Sequence, residues 1–236
     1  MMNKIKKRMT RILAATAALL FSSHSCFAAE GAPGFIASME HRVVEFVSNT
    51  VNHLRYSTYE LGGTQFDASR GIYILDCSSY VDQILKKATP RAYSNLVAAS
   101  GTIKPTSLEY YNFFIGLPQN SLSKRHWNKV QTISQLRPGD ILVFRYKGQH
   151  HRSSVGGHVM IVMKEPKRKA GAFSVRVADS ASAAHSHDTR PAHKSGVGIG
   201  NLLLKANPKN GQPYAYAWKE GSHWENNVKF AMGRPV

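Results

Sequence analysis

A helix start that carries a cysteine constrains this chain more than any other stretch. In Leu75-Asp76-Cys77-Ser78-Ser79-Tyr80-Val81, Asp76 is a good N-cap, because its carboxylate accepts from the free amides of a first turn. Apolar residues then recur at Cys77, Tyr80, Val81, Ile84 and Leu85, which is one face of an amphipathic helix. Lys86 and Lys87 suit the negative end of the dipole, and Pro90 is expected to stop the helix. The thiol is thus expected in the first turn, facing the core, where the dipole favours the reactive thiolate. Position alone leaves two readings open, a small core residue or a nucleophile.

The context bears on that choice. Lys4, Lys6, Lys7, Arg8 and Arg11 precede a short apolar run, Ile12 to Phe21, and Cys26-Phe27-Ala28 offers a small-x-small cleavage point. Residues 1–28 therefore read as a secretory signal cut after Ala28, since the run is too short to span a bilayer. A lipid anchor through Cys26 is the weaker reading, because Ser23-His24-Ser25 lacks the apolar residue such sites offer. Cys26 is expected to leave with the signal, which strips Cys77 of any intrachain partner. In an oxidising compartment an odd thiol is shielded, paired between chains, or used chemically.

Loss of five cations takes the formal charge from +17 to +12. A chain this basic is suited to anionic envelope polymers, or simply to solubility in an acidic envelope. Export and the scatter of the basic residues argue against nucleic acid. Residues 29–236 are expected to form one domain, with residues 29–58 as an N-terminal helical segment. No later stretch is long and apolar enough to cross a membrane, and a monomer is expected.

Along the chain, Phe35 to Leu54 keeps a helical period. Tyr59-Glu60-Leu61-Gly62-Gly63 follows, with a tight turn at the paired glycines and a polar stretch to Gly71. Residues 91–136 are less patterned; Leu108 to Leu117 reads as a short aromatic-rich helix and Pro118 to Arg125 as a loop. Strands are then expected at Ile141–Phe144, His158–Met163, Phe173–Asp179, Ile199–Leu204, Tyr214–Trp218 and Val228–Met232. Between them, Gly148 to Gly157, Pro166 to Gly171 and Ser180 to Ser195 read as loops. Helices followed by an antiparallel meander of five to six strands make an α+β fold.

That order places a chemistry. A cysteine hydrolase needs a thiolate, a base, a group to orient the base, and donors for the oxyanion. Cys77 supplies the first, and its own amide one of the donors. His158 opens a strand after Gly156-Gly157, where other groups approach closely. Asp179 closes the next strand, so antiparallel pairing brings it beside His158.

The same residues carry a resemblance to the NlpC family of papain-like cell-wall cysteine peptidases. Asp76-Cys77-Ser78 resembles its nucleophile motif, and Tyr59-Glu60-Leu61-Gly62-Gly63 its Tyr-x-Trp-Gly-Gly segment. Pro138-Gly139-Asp140-Ile141-Leu142-Val143-Phe144 resembles its first strand, and Gly157-His158-Val159-Met160-Ile161-Val162 its histidine strand. The likeness runs from Tyr59 to Asp179, with a gap at 91–136. It implies a papain-like fold and hydrolysis of peptidoglycan stem peptides between D-glutamate and a diamino acid, in the periplasm or outside the cell, with no cofactor. Carried over, Cys77 is the nucleophile and His158 the base. Tyr59 is then a hydroxyl near the thiol, and Asp76 and Ser78 hold the substrate's free amino end. The chain departs from the pattern in Leu61 for Trp, Ser79 where Gly is common, and Asp179 where the third residue is commonly His.

The remaining histidines are weighed separately. His185, His187, His193 and the pair His150-His151 have the character of zinc ligands. They lack a complete upstream ligand set and read instead as solvated loop residues, with His185 the rival to Asp179 as third residue. The competing functions are a papain-like amidase or acyltransferase using the same dyad, a zinc peptidase, and a non-catalytic basic envelope-binding protein. The cysteine-before-histidine order favours the peptidase over lipid-directed relatives, where that order is commonly reversed.

Overall fold

The computed structural model describes residues 34–119, 126–148 and 156–236. The expected signal with its cleavage point, most of the loop after Pro118, and His150-His151 lie outside the described residues.

Helix α1 spans Gly34–Asn52 and ends before Leu54, so the helical segment expected to reach residue 58 stops short. Three four-residue strands follow, β1 (Tyr56–Tyr59), β2 (Thr64–Asp67) and β3 (Ile72–Leu75). They form a small separate sheet with β3 central, parallel to β1 and antiparallel to β2. The polar stretch that runs to Gly71 thus contains a strand.

Helix α2, Cys77–Ala88, begins where expected, with Asp76 as N-cap and Lys86 and Lys87 in its last turn. Pro90 does not end the helical region. It opens α3 (Pro90–Ser100), sitting at the first helical position, where a missing N–H costs nothing. Helix α4 (Ser107–Ile115) starts at a capping box formed by Thr106 and Glu109.

The remaining strands are β4 (Trp127–Val130), β5 (Ile141–Tyr146), β6 (Gly157–Val162), β7 (Lys167–Lys169), β8 (Ala172–Ala181), β9 (Gly196–Ala206), β10 (Pro213–Ala217) and β11 (Val228–Pro235). They make an eight-stranded sheet rather than one of five or six. Its order is β10-β9-β8-β6-β5-β11-β4, and β7 pairs with β8. Its strands pair antiparallel throughout the described residues, so the fold is α+β with a large antiparallel sheet. The extra strands are β4 and β7; the latter lies inside the basic segment expected to be a loop.

Alternation along β5 and β6 supplies two cores. Ile141, Val143, Val159 and Ile161 face the helices and pack with Val81, Ile84, Leu85 and Leu96. Leu142, Phe144, Met160 and Val162 face the other way and meet Val175, Val177, Leu202, Leu204 and Tyr216. Phe144 stacks on Tyr216 with ring centres 4.4 Å apart, although three strands lie between β5 and β10. The sheet therefore curls around its second core. Burial on both faces explains why β5 reads as a continuous apolar run rather than an alternating one. The described residues belong to one compact unit, and among them no helix is long and apolar enough to cross a membrane.

Candidate active site

The start of α2 is tied down from several sides. Asp76 accepts from Ser79 N at 2.7 Å, from Ser78 Oγ at 3.0 Å and from Gly62 N at 3.0 Å. One carboxylate thus caps the helix and anchors the glycine turn that leaves β1. Leu75 O, one residue earlier, accepts from Ser180 Oγ of β8 at 2.7 Å. Cys77 is buried at this junction with its thiol unpaired by any disulfide.

Asp76 and Ser78, the residues carried over as binders of a substrate amine, are both buried. About three of the four acceptor positions of Asp76 are already filled by protein donors. Their first task in this chain is to shape the turn and the helix start. Tyr59, at the end of β1, lies close enough to the thiol for its charge to be felt. Burial, then the charges of Cys77 and Asp76, push the Tyr59 hydroxyl up to about 12, so it remains a donor at neutral pH.

His158 and Asp179 meet where the sheet parts. Strands β6 and β8 pair only at Ile161–Ala178 and Val162–Val177. His158 and Asp179 lie beyond those pairs, on the stretch where the two strands are no longer bonded to each other. Alternation sends both side chains to the same side of the sheet, His158 with Met160 and Asp179 with Val177. His158 Nε2 then meets Asp179 Oδ2 at 2.7 Å. Strand β8 continues two residues past Asp179, so the aspartate does not end the strand as expected, yet the pairing argument brings it to the histidine.

With Nε2 taken, Nδ1 is the nitrogen left for Cys77. Burial pulls the His158 ring down, but the thiolate charge of Cys77 and hydrogen bonds to Asp179 and Cys77 outweigh it and raise the ring to about 10. At neutral pH the ring is therefore an imidazolium, set beside the Cys77 sulfur.

Asp179 serves more than one histidine. His185 Nε2 donates to the same Oδ2 at 2.9 Å, and Arg190 Nη2 donates to Oδ1 at 2.9 Å. Asp179 is completely buried. Burial alone would raise its carboxyl, but His185, Arg190 and the bond from His158 hold it well below the usual carboxylate range. His185 is itself buried, which overturns its reading as a solvated loop residue. His187 and His193 are exposed, as expected of loop residues.

The loop between β8 and β9 can lie this close because of glycines on β9. A Cβ at Gly198 would sit 2.5 Å from Arg190 Nε. One at Gly200 would sit 2.5 Å from Asp188 Oδ2 and 2.6 Å from His185 Cβ. Asp188 braces the loop from within: its carboxylate takes Arg190 Nε and Nη2 at 2.9 and 2.7 Å and His185 N at 2.8 Å. Trp218 closes the site from β10's side, its ring 4.0 Å from that of His185 and 5.2 Å, edge-on, from that of His158.

Sequence reasoning missed Arg190 and Trp218 and misplaced His185. The available signal was the alternation Gly196-x-Gly198-x-Gly200, which marks a strand face that another backbone approaches. Among the described residues, no group of three or more His, Cys, Asp or Glu is disposed to hold a metal ion.

Comparison with known proteins adds one distant relative. No family model matches the chain, and no solved structure matches it. An uncharacterized protein of Acanthamoeba polyphaga mimivirus is 25% identical over 163 residues, covering 61% of this chain and 68% of that protein.

Proposed function

We propose that this chain is a papain-like cysteine hydrolase of the NlpC type, with Cys77 as nucleophile, His158 as base and Asp179 as the residue that orients it. The observation that carries the reading is the contact of His158 Nε2 with the buried Asp179 at 2.7 Å, with Cys77 acting on the same ring. A partly buried tyrosine hydroxyl beside the thiol, Tyr59, supports it further.

In this mechanism the thiolate attacks the carbonyl carbon of a scissile amide. The oxyanion is met by the amide of Cys77, with the Tyr59 hydroxyl close by. The imidazolium gives its proton to the departing amine, leaving a thioester on Cys77. His158 then takes a proton from water, the hydroxide attacks the thioester, and the thiol is released with a carboxylic acid product. Asp179 fixes the tautomer and balances the imidazolium.

The substrate class we assign is the peptidoglycan stem peptide, cut between D-glutamate and a diamino acid, by an enzyme exported to the periplasm or beyond. The basic chain suits an anionic envelope. The test is digestion of purified muropeptides followed by mass spectrometry of the products. A new free amine and carboxyl at that bond, absent with Cys77→Ala, is expected. Intact muropeptides after prolonged incubation with folded wild type would refute the reading. Products cut at another amide, or an acyl group moved to a lipid, would turn it to the amidase or acyltransferase alternative.

A further inference from the structure

Arg145, on β5, is a buried cation whose role the dyad does not explain. It is 1% exposed, and its Nη1 donates to Ser107 Oγ at 2.9 Å. Its Nε and Nη2 have no hydrogen-bond partner among the described residues. A charge taken out of water with two donors unmet is costly, and such a group calls for an explanation.

The two unmet nitrogens are not a random pair. Nε and Nη2 form the side-on edge of a guanidinium, the fork that grips both oxygens of a carboxylate. Two other arginines of this chain show the fork in use. Arg190 holds Asp188 through Nε and Nη2 at 2.9 and 2.7 Å, and Arg234 holds Asp140 through the same two atoms at 2.8 and 2.9 Å. Arg145 turns the same edge to no protein carboxylate.

Its location ties it to the dyad. Arg145 pairs across strands with Gly157, the residue before His158. Alternation puts it on the helix-facing side with Ile141 and Val143, the side on which Cys77 is buried. Burial pulls the guanidinium down, and the charges of Glu109 and then Cys77 act against that; the Glu109 carboxylate is already committed to capping α4 through Thr106. The chain also makes room for this side chain. A Cβ at Gly156 would lie 2.2 Å from Nη2, and one at Gly157 2.8 Å from Cδ. Ser107, which holds the third nitrogen, is the first residue of α4, so a helix N-terminus adds to the positive character there.

We propose that the Nε/Nη2 fork of Arg145 binds a substrate carboxylate carried next to the bond that Cys77 attacks. The inference rests on Cys77 as the nucleophile and names what its substrate must bear. A glutamyl residue joined through its side-chain carboxyl has such a group, because its α-carboxylate stays free a few bonds from the scissile amide. With a substrate bound and water excluded, the fork discriminates strongly, because a carboxamide in its place would set a donor against two donors.

The test has a binding arm and a turnover arm. Full-length Cys77→Ala protein, labelled with nitrogen-15 in its arginines, is titrated with L-alanyl-γ-D-glutamyl-diaminopimelate and with the same peptide carrying a carboxamide in place of the α-carboxylate. The Arg145 Nε–H resonance, assigned from Arg145→Lys, is expected to shift saturably with the acid. The acid should bind roughly 10- to 100-fold more tightly than the amide. Arg145→Gln should abolish the preference, and so should Arg145→Lys, which keeps the buried charge without the fork and decides the matter should Arg145→Gln fail to fold. Equal affinities, an unmoved resonance, or a preference surviving in Arg145→Lys would overturn the proposal. So would acid and amide peptides binding equally to the protein that retains Arg145 together with a drop in Cys77 alkylation rate in Arg145→Lys, which would assign the guanidinium to the thiol instead. If wild type cleaves neither peptide while the Arg145-dependent preference persists, the carboxylate site stands and the hydrolase reading falls.

Discussion

Replacing Asp179 by Asn removes a charge and changes almost no volume, so it isolates the electrostatic role of the residue. Three donors converge on this carboxylate at 2.7 to 2.9 Å, and no part of it reaches solvent. An amide can offer its oxygen to the two histidines or to Arg190, but not to both, and its NH₂ then faces a donor. Breaking a buried ion pair costs about 3–5 kcal/mol. For a domain of this size each kcal/mol lowers the melting temperature by about 2–4 °C, so Asp179→Asn should melt about 6–20 °C below wild type. The pH dependence has a definite sign. Asp179 is held low, so its contribution is complete above the unfolded-chain value of about 3.9 and fades as pH falls towards the folded value. His158 is held up at about 10, so its contribution is complete below about 6.5 and is lost as pH rises through 10. The gap between variant and wild type should therefore be widest between about pH 4 and 6.5 and narrow on either side. Urea unfolding at pH 6 and at pH 3 measures it. A gap under about 1 kcal/mol at pH 6, or one that grows on acidification, would refute Asp179 as the electrostatic centre of the site.

Cys77→Ala should leave the melting temperature close to wild type and turnover at background; iodoacetamide should label wild-type Cys77 at pH 7 faster than a free model thiol, and His158→Ala should remove that advantage. His185→Ala keeps the His158–Asp179 contact but leaves Asp179 a donor short, so it should cost about 1–3 kcal/mol by denaturation and reduce turnover less than Asp179→Ala does. The opposite ranking would make His185 the orienting residue. Gly198→Ala drives a methyl into Arg190 and Asp188, so it should loosen the loop that carries His185 and raise its amide exchange, with β5 and β6 unaffected. Unchanged exchange in that loop would mean that the glycine face is not what seats it.

The helix start at Cys77 was legible because its signals are local. An N-cap carboxylate, a helical period and two terminal lysines agree with one another, and the helix starts at Cys77 as they require. The His158–Asp179 contact was legible for a different reason: strand alternation and antiparallel order bring together two polar residues otherwise hard to explain. Pro90 follows the end of α2 as expected; that it also opens α3 went unread, because a proline at the first position of a helix and one just after a helix look alike in a sequence. Strands β1 to β3 escaped notice because four residues are too few to show a period, and their pairing is with one another rather than with the large sheet. His185 was misjudged by the company it keeps. A loop of serine, alanine and histidine reads as solvated, and only the missing side chains at Gly198 and Gly200, a strand away, let it sink against Asp179.

The bond from Ser180 Oγ to Leu75 O joins positions 105 apart in the chain, and those from Tyr59 N to Ser195 Oγ and from Val197 N to Ser57 Oγ join positions still farther apart. Contacts of such separation carry a large loop-closure entropy and form slowly. The helix bearing Cys77 can form early from local contacts, whereas its partners wait for β8 and β9 to be made and docked. During synthesis the ribosome delivers Cys77 about eighty residues before His158 and about a hundred before Asp179. Until the last third of the chain has folded, Cys77 is without the neighbours that the proposed chemistry requires, so that chemistry would belong to the folded protein and not to the nascent helix.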